Sequence, residues 1–240
     1  MDYLRPLPQY NDFRNRRHSG LWVGSKSAAG FTPASLPNLY AWWDYSNTGG
    51  HVTTSGGNVL SVTDCSSAGG PQMGDNNVGG EPAQGVGTFN GLNCITPTSG
   101  KGIATVNSLS IAQPYTWWSV LKISGSLAVQ EQWMTDGVNT GLFLTSGNWA
   151  GNGGGTGFTS GIAADANAHL IIVTFNGASS SYTVDGTTVA ISCSARTFTQ
   201  IWNGWTIAGS IGETGITLDS MSAGNKTSMR TYASAKWGTP

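Results

Sequence analysis

Few residues in this chain could carry out acid–base or nucleophilic chemistry, and they are scattered. Hydrolysis of a glycosidic bond needs two carboxylates about 5–10 Å apart, on either side of the bond. Glu131 and Asp136 are the nearest acidic pair in a strand-like region, but five positions apart they face opposite sides of a regular strand. The histidines His18, His51 and His169 are not accompanied by a Gly-x-Ser-x-Gly nucleophile motif. The sequence therefore predicts no catalytic residue and no enzyme.

Metal-binding patterns are equally sparse. The cysteines Cys65, Cys94 and Cys193 lack the spacing of a zinc site. Their odd number excludes a full disulfide framework, so we expect buried free thiols, with one disulfide as the alternative. The densest cluster of oxygen donors is Asp75-Asn76-Asn77, which could bind calcium or form a turn. We favour the turn, and we predict no metal and no cofactor.

Tryptophans beside amides are a stronger signal, because an exposed indole can stack on a sugar ring while amides bond its hydroxyl groups. Trp149 and Asn152 lie in residues 147–161, which hold seven glycines in 15 positions and predict a loop. Trp202 precedes Asn203 and is the second candidate. These four residues form the predicted glycan-binding set. The alternative is that both tryptophans anchor loops to the core.

Composition limits the class of protein that must position these residues. Of 240 residues only 10% are charged, 38% are apolar and 35 are glycines, and the net charge is −1. This composition excludes a coiled coil, a helical bundle and a highly charged disordered chain. It also gives no support for binding nucleic acid, and no apolar run is long enough to cross a membrane. We expect one packed domain, with or without an arm.

The first 36 residues differ from the rest. Residues 1–36 have a net charge of +3, whereas the remainder has −4. Prolines there favour extended backbone, and no apolar segment of the kind found in secretory signals follows the arginines. Disordered tails rarely carry many aromatic residues, so we predict an extended arm that attaches to a partner, with a disordered leader as the alternative. Its predicted partner-binding residues are Tyr10, Phe13, Arg14, Arg16, Arg17 and Trp22.

Short apolar runs separated by turn-forming residues fill the rest of the chain. They predict strands at 39–44, 59–64, 88–95, 115–123, 141–144, 170–175, 181–184, 187–191 and 205–208. Asp185-Gly186 is a two-residue hairpin turn between two of them. Only the end looks helical, with Ser222 as the N-terminal cap and Gly238 as the C-terminal cap. This pattern indicates an all-β sandwich or barrel.

Three segments resemble the concanavalin A-like, or laminin-G-like, jelly-roll family of phage and bacterial surface proteins. Residues 36–44, Leu-Pro-Asn-Leu-Tyr-Ala-Trp-Trp-Asp, are similar to its opening strand. Residues 173–177 and 182–186 resemble its paired strands that end in an aromatic-x-Val-Asp-Gly hairpin, and residues 230–238, ending in Lys-Trp-Gly, resemble its closing helix. Together these motifs span nearly all of the chain outside the arm.

The resemblance implies a jelly-roll sandwich of two antiparallel sheets over 37–240, preceded by the arm and closed by a short helix. Trp42 and Trp43 would then face opposite sides of their strand, one towards the core and the other towards the helix or the arm. Hydrolases of this superfamily carry Glu-x-Asp-x-x-Glu on one strand, and this string is absent here. Glu213 lies near a position where the family often has a glutamate, whose role is more often structural than catalytic.

Because the family is common among phage structural proteins, the resemblance implies a non-enzymatic virion protein, assembled in the host cytoplasm. It would be a capsid decoration, head-fibre or tail-appendage subunit, with the major capsid or tail protein and further copies of itself as partners. One alternative is a lectin or host-receptor adhesin that binds host-surface glycans. A second alternative is a polysaccharide hydrolase. Neither nucleic acid nor a membrane is an expected partner.

Overall fold

The computed structural model describes residues 30–240 except 76–79, 99, 128–131, 139 and 205. The predicted attachment residues of the arm all lie outside this range: Tyr10, Phe13, Arg14, Arg16, Arg17 and Trp22. The folded body comprises Phe31–Pro240. Residues 31–36, at the end of the predicted arm, belong to it, because Leu36 is buried and Phe31 contacts Tyr232 edge-on, with 6.4 Å between ring centroids.

Nineteen strands and one α-helix form the described part of the chain. The strands are β1 (Leu39–Asp44), β2 (Val52–Ser55), β3 (Asn58–Val62), β4 (Met73–Gly74), β5 (Ala83–Phe89), β6 (Leu92–Thr96), β7 (Ile103–Thr105), β8 (Ile111–Ala112), β9 (Tyr115–Ile123), β10 (Gln132–Thr135), β11 (Gly141–Thr145), β12 (Asn148–Gly153), β13 (Thr156–Ala163), β14 (Ala168–Phe175), β15 (Ser180–Val184), β16 (Thr187–Ile191), β17 (Thr197–Phe198), β18 (Trp202–Asn203) and β19 (Gly209–Thr217). The helix α1 is Ala223–Trp237, and 3₁₀ turns lie at Pro33–Ser35 and Gly177–Ser179. The predicted all-β class with a closing helix is thereby confirmed.

Seventeen of these strands are joined by hydrogen bonds into one antiparallel sheet, and β8 pairs with β17 separately. One run of neighbours is β1–β19–β9–β14–β15–β16, here the first run. The other is β2–β3–β4–β7–β18–β10–β11–β12–β13, the second run. The β5–β6 hairpin links them, because β5 pairs with β3 and β6 with β19. The pairing therefore joins these strands into one continuous antiparallel sheet, and the predicted jelly-roll sandwich of two sheets is not confirmed.

Two apolar clusters lie on opposite sides of the first run. The larger contains inward side chains of both runs, including Trp43 and Trp117. The smaller lies between the first run and α1 and includes Trp118 and Trp237, with Trp42 packed against it. Adjacent residues of one strand separate in this way because strand side chains alternate between faces. The predicted division of Trp42 and Trp43 between helix and core is confirmed.

The closing helix forms as predicted. The Ser222 hydroxyl accepts a hydrogen bond from the backbone N–H of Asn225, and Gly238 ends the helix at a φ of 72°. Its buried residues Met229, Ala233 and Trp237 cover the first run. No helix among the described residues is long and apolar enough to cross a membrane.

The largest errors of the sequence prediction concern glycine-rich segments. Residues 147–161 are not a loop but most of the hairpin of β12 and β13. Strand β19, the partner of both β1 and β9, was not predicted because three glycines interrupt its apolar pattern. Two of them are required by packing: a Cβ on Gly215 would overlap the Trp118 ring, and a Cβ on Gly212 would lie 2.8 Å from the Trp237 ring.

Two predicted strands were also misplaced. The run 88–95 is interrupted by a turn at Asn90 and Gly91, both at positive φ, so it divides between β5 and β6. The segment 206–208 is not a strand, and Trp205 lies outside the described residues. Turn residues inside an apolar run were therefore underestimated.

Candidate functional site

Strand alternation decides which side chains of the second run reach its outer surface. Leu142 and Leu144 of β11 belong to the core, so Gly141 and Phe143 face outwards. On β18, Asn203 points inwards to a buried network, which turns Trp202 outwards. Of the two predicted glycan-binding residues of β18, Trp202 therefore faces the outer surface and Asn203 faces the core.

One row of outward-facing residues crosses five strands in register. Their backbones are paired in sequence across β18, β10, β11, β12 and β13, and we call this row the outer ladder: Trp202, Thr135, Gly141, Asn152 and Gly157. Strands lie about 4.8 Å apart, so three spacings place Trp202 about 14 Å from Asn152. The structure thus brings two of the four predicted glycan-binding residues onto one face.

A second row lies beside the ladder and supplies further side chains. Gln132 of β10 is paired with Phe143 of β11, and Phe143 with Ala150 of β12. A Cβ on Gly141 would overlap the side-chain amide of Gln132, so this amide lies directly over the glycine. Phe143, Gln132 and Asn152 are each half-buried, and the Asn152 Oδ1 has no hydrogen-bond partner among the described residues.

The loop between β10 and β11 is tied down beside Trp202. The Asp136 carboxylate accepts hydrogen bonds from the backbone N–H groups of Val138, at 2.9 Å, and Thr140, at 2.8 Å. The Thr135 hydroxyl donates to the Thr140 carbonyl and accepts from the N–H of Gly137. A Cβ on Gly137 would be in ordinary contact with the indole of Trp202, at 3.6 Å. Trp202 therefore lies beside Gly137, in the part of this loop that Thr135 and Asp136 hold by hydrogen bonds.

The partly exposed side chains of this face are uncharged: Trp202, Gln132, Phe143 and Asn152. Thr135 is buried, with its hydroxyl bonded to the β10–β11 loop. An indole and a phenyl ring offer apolar surface, and two primary amides offer donors and acceptors. This combination suits a neutral polyhydroxylated ligand. Gln132, Thr135 and Phe143 were missed from the sequence, although the alternation of Leu142, Phe143 and Leu144 in a predicted strand is a signal that Phe143 lies outside.

Trp149 and Asn203 must be removed from the predicted glycan-binding set. Trp149 is fully buried in the core, with its ring centroid 5.4 Å from that of Trp133 and 5.2 Å from that of His169. Asn203 is also fully buried and donates to the Tyr45 hydroxyl at 2.9 Å. Neither can contact a sugar, because β12 and β18 present these residues to the inner side. Trp149 is therefore a core residue of strand β12 and anchors no loop.

Glu213 is enclosed beneath α1. It is fully buried, and its Oε2 accepts hydrogen bonds from the Tyr232 hydroxyl at 2.9 Å, the Lys236 ammonium at 3.1 Å and the Trp42 indole at 3.2 Å. Lys236 also donates to Asp44 at 2.7 Å. Burial raises the pKa of Glu213, and the neighbouring ammonium opposes this shift. A carboxylate with no exposed surface cannot reach a polysaccharide, so its contacts are those of a structural residue.

His169 is similarly committed to other residues. Its Nδ1 lies 2.6 Å from Asp185 Oδ2 and its Nε2 lies 2.9 Å from Asp165 Oδ1. Both nitrogens must carry protons to donate to carboxylates, which makes the ring an imidazolium. Burial lowers the pKa of His169, but the hydrogen bonds and charges of the two aspartates outweigh it and raise the pKa. Such a ring has no free nitrogen with which to act as a general base.

This cluster predicts a loss of stability in alkali. Because the folded-state pKa of His169 lies above its ordinary value of 6.5, its stabilisation is complete below that pH and is lost as the pH rises through the folded-state value. Thermal unfolding of the wild type between about pH 6 and about pH 9 should therefore show a decline that His169→Gln reduces. Equal declines in both proteins would contradict the assignment of this titration to His169.

The cysteines are free, as predicted. Cys94 and Cys193 are buried, whereas Cys65 is partly exposed, contrary to the prediction that all three are buried. Burial raises the pKa of Cys65 to about 11, so its thiol is protonated at neutral pH. Asn76 and Asn77 of the possible calcium cluster, and Glu131 of the acidic pair, lie outside the described residues. Within the described residues, no three His, Cys, Asp or Glu side chains are grouped to hold a metal ion.

Comparison with known proteins yields structural likeness only. No protein-family model and no curated sequence matches the chain. Domain 4 of AbnA, an extracellular GH43 arabinanase of Geobacillus stearothermophilus in complex with arabinotriose, has a TM-score of 0.59 and 12% identity, over 80% of this chain and 98% of that domain. The binding domain of botulinum neurotoxin DC in complex with SialylT has a TM-score of 0.58 and 8% sequence identity. Trypanosoma rangeli sialidase in complex with sialic acid has a TM-score of 0.55 and 10% sequence identity.

The shares covered differ. This chain is matched over 87% against the toxin domain and 86% against the sialidase, but it spans only 55% of the former and 35% of the latter. At these low identities the likeness carries no ligand or activity over to this chain. The chain thus shares its all-β fold with a domain of an arabinanase and with parts of a toxin binding domain and of a sialidase.

Proposed function

We propose that residues 37–240 form a non-enzymatic carbohydrate-binding domain whose binding face is the outer ladder with Gln132 and Phe143. The observation that carries the proposal is the convergence of two aromatic rings and two amides on one uncharged outer face. Aromatic rings beside a few well-placed polar groups are what small polar ligands require. Domains of similar fold have been solved with arabinotriose and with SialylT, so a fold of this kind is compatible with carbohydrate binding.

The lack of catalysis is part of this proposal. Among the described residues, Asp44 and Glu213 share one cation, because the Lys236 ammonium binds both, at 2.7 Å and 3.1 Å. His169 is held by two aspartates. These groups are occupied in structural contacts, and none of them lies on the outer ladder. The ladder itself carries no ionisable side chain that could act as acid or base.

The virion role remains a prediction from the sequence, as do the arm and its capsid or tail partners. None of the residues predicted to attach the arm lies within the described part of the chain. The virion hypothesis and the glycan-binding hypothesis are compatible, because a virus particle could display a carbohydrate-binding domain. Of the two, glycan binding is the better supported.

Binding of the full chain to an array of neutral and acidic oligosaccharides tests the proposal, together with an assay for new reducing ends on the same glycans. We expect saturable binding of neutral oligosaccharides with no release of reducing ends. Binding to no glycan on the array would refute carbohydrate recognition. Release of reducing ends would refute the non-enzymatic part and favour the hydrolase alternative.

A further inference from the structure

One lysine lies between two carboxylates beneath α1. The Lys236 ammonium is 2.7 Å from Asp44 Oδ2 and 3.1 Å from Glu213 Oε2. Asp44 ends β1, and Glu213 is its register partner on β19, so the sheet itself holds the two carboxylates side by side. Lys236 reaches them from the last turn of α1. Three side chains from elements distant in sequence therefore meet at one point.

This point is largely closed to water. The Glu213 side chain has no exposed surface, and the side chains of Asp44 and Lys236 are only 10% and 18% exposed. Three aromatic rings lie around the ammonium nitrogen, with centroids 4.8 to 5.8 Å away: Trp42, Tyr232 and Trp237. Because charges lose their hydration in such a place, the charged form of the pair is less favoured than in water.

An ammonium and a carboxylate contain all the atoms of an amide bond and one water molecule. Two protons leave the nitrogen, the nitrogen bonds to the carboxyl carbon, and one carboxylate oxygen departs with both protons as water. No electron is gained or lost, so no oxidant or reductant is needed. Fixed contact and exclusion of solvent are the conditions that favour this reaction over its reversal by water. Lys236 already contacts an oxygen bonded to the carboxyl carbon of Asp44.

The reaction also needs a group that carries protons from nitrogen to oxygen. Glu213 Oε2 accepts a hydrogen bond from the Lys236 ammonium, whereas its Oε1 has no partner among the described residues. Burial raises the pKa of Glu213 in spite of the neighbouring ammonium, so this carboxyl takes up a proton more readily than usual. The Tyr232 hydroxyl donates to Glu213 and accepts from Lys236 at 3.0 Å, which gives a second path for a proton.

We propose that Lys236 and Asp44 form an intramolecular isopeptide bond, with Glu213 as the proton carrier. In two successive transfers Glu213 takes a proton from the nitrogen and passes it to the departing oxygen of Asp44. The product is a neutral amide and one water, and Glu213 is left unchanged. The bond joins the end of β1 to the last turn of α1. It involves no residue of the outer ladder, so it does not depend on the function proposed for that face.

Folding must precede this reaction, because the three side chains meet only in the packed structure. Freshly folded chains therefore hold Lys236 as the ammonium between two carboxylates, and bonded chains accumulate afterwards. Unfolding of Lys236 variants is to be compared with wild-type chains that have not reacted, because a covalent bond between β1 and α1 adds stability of its own.

The test is intact mass spectrometry of the denatured full chain, freshly purified and after prolonged incubation at neutral pH. We expect a mass lower by one water than that of the sequence, and a linked pair of peptides that contain Asp44 and Lys236 after digestion. Lys236→Arg keeps the positive charge without a nucleophilic amine and should retain the full mass. Glu213→Gln should slow formation of the bond about 100-fold or more, the usual contribution of a positioned proton carrier.

Lys226→Arg is the matched control, because Lys226 lies on the same helix and donates to two hydroxyl groups. It should lose one water as the wild type does. Circular dichroism establishes that each variant is folded. A folded Glu213→Gln protein that reacts as fast as the wild type would remove Glu213 from the proposal.

Water is also lost where an aspartate cyclises onto the nitrogen of a following glycine, as is possible at Asp136-Gly137 and Asp185-Gly186. A loss of that origin persists in Lys236→Arg and gives no linked peptides. The isopeptide bond is overturned by either of two results: a wild-type chain that keeps its full mass after incubation, or an equal loss of water in the wild type and Lys236→Arg.

Discussion

Replacement of Trp202 by alanine is expected to weaken binding of a neutral oligosaccharide about 30-fold or more. Trp202 is the one tryptophan of the outer ladder, it is partly exposed, and its indole lies beside Gly137. Aromatic anchors of this kind commonly contribute about 2 kcal/mol or more to binding, which is about 30-fold in the dissociation constant. Isothermal titration with the tightest-binding neutral glycan of the array measures the effect.

Two companion variants separate stacking from a general loss of structure. Trp202→Phe keeps an aromatic ring and should lose clearly less affinity than Trp202→Ala. Leu218→Ala removes a side chain that is 46% exposed away from the ladder and should bind as the wild type does. Retention of wild-type affinity by a folded Trp202→Ala protein would exclude the outer ladder as the binding face.

Replacement of Lys236 by methionine is expected to destabilise the fold by about 3–5 kcal/mol, the cost of leaving a buried charge without its partner. Lys236 is the cation that Glu213 and Asp44 share, and Glu213 has no contact with solvent. The same ammonium lies over the rings of Trp42 and Tyr232, so the loss extends to the contact between α1 and β1. Urea unfolding at neutral pH gives the free energy of unfolding.

The pH dependence of this loss identifies its cause. Burial raises the pKa of Glu213, and removal of the cation raises that pKa further, so the folded variant takes up a proton more readily than the unfolded chain. The destabilisation should therefore shrink in acid and grow in alkali. The double variant with Glu213→Gln should recover part of the stability at neutral pH. A loss that is independent of pH, with no recovery in the double variant, would argue against an uncompensated carboxylate.

Local sequence signals predicted the elements that depend on local chemistry. β1 and β9 follow from uninterrupted apolar and aromatic runs, and both have the predicted bounds. The hairpin at Asp185 and Gly186 follows from a turn that tolerates positive φ, and both residues adopt it. The helix follows from its two caps. In each case the element is favoured by residues close together in the sequence.

The tertiary structure decided what depends on partners distant in sequence. Gly215 and Gly212 of β19 are required because the rings of Trp118 and Trp237, on β9 and α1, occupy the space that their side chains would fill. Gln132 and Asn152 come onto one face only when β10, β11 and β12 pair in register. A shift of one residue in a strand exchanges its inner and outer side chains. For this reason the sequence, with its tryptophans near asparagines, predicted a sugar-binding tryptophan. Only the pairing of the strands distinguished the outward Trp202 from the buried Trp149.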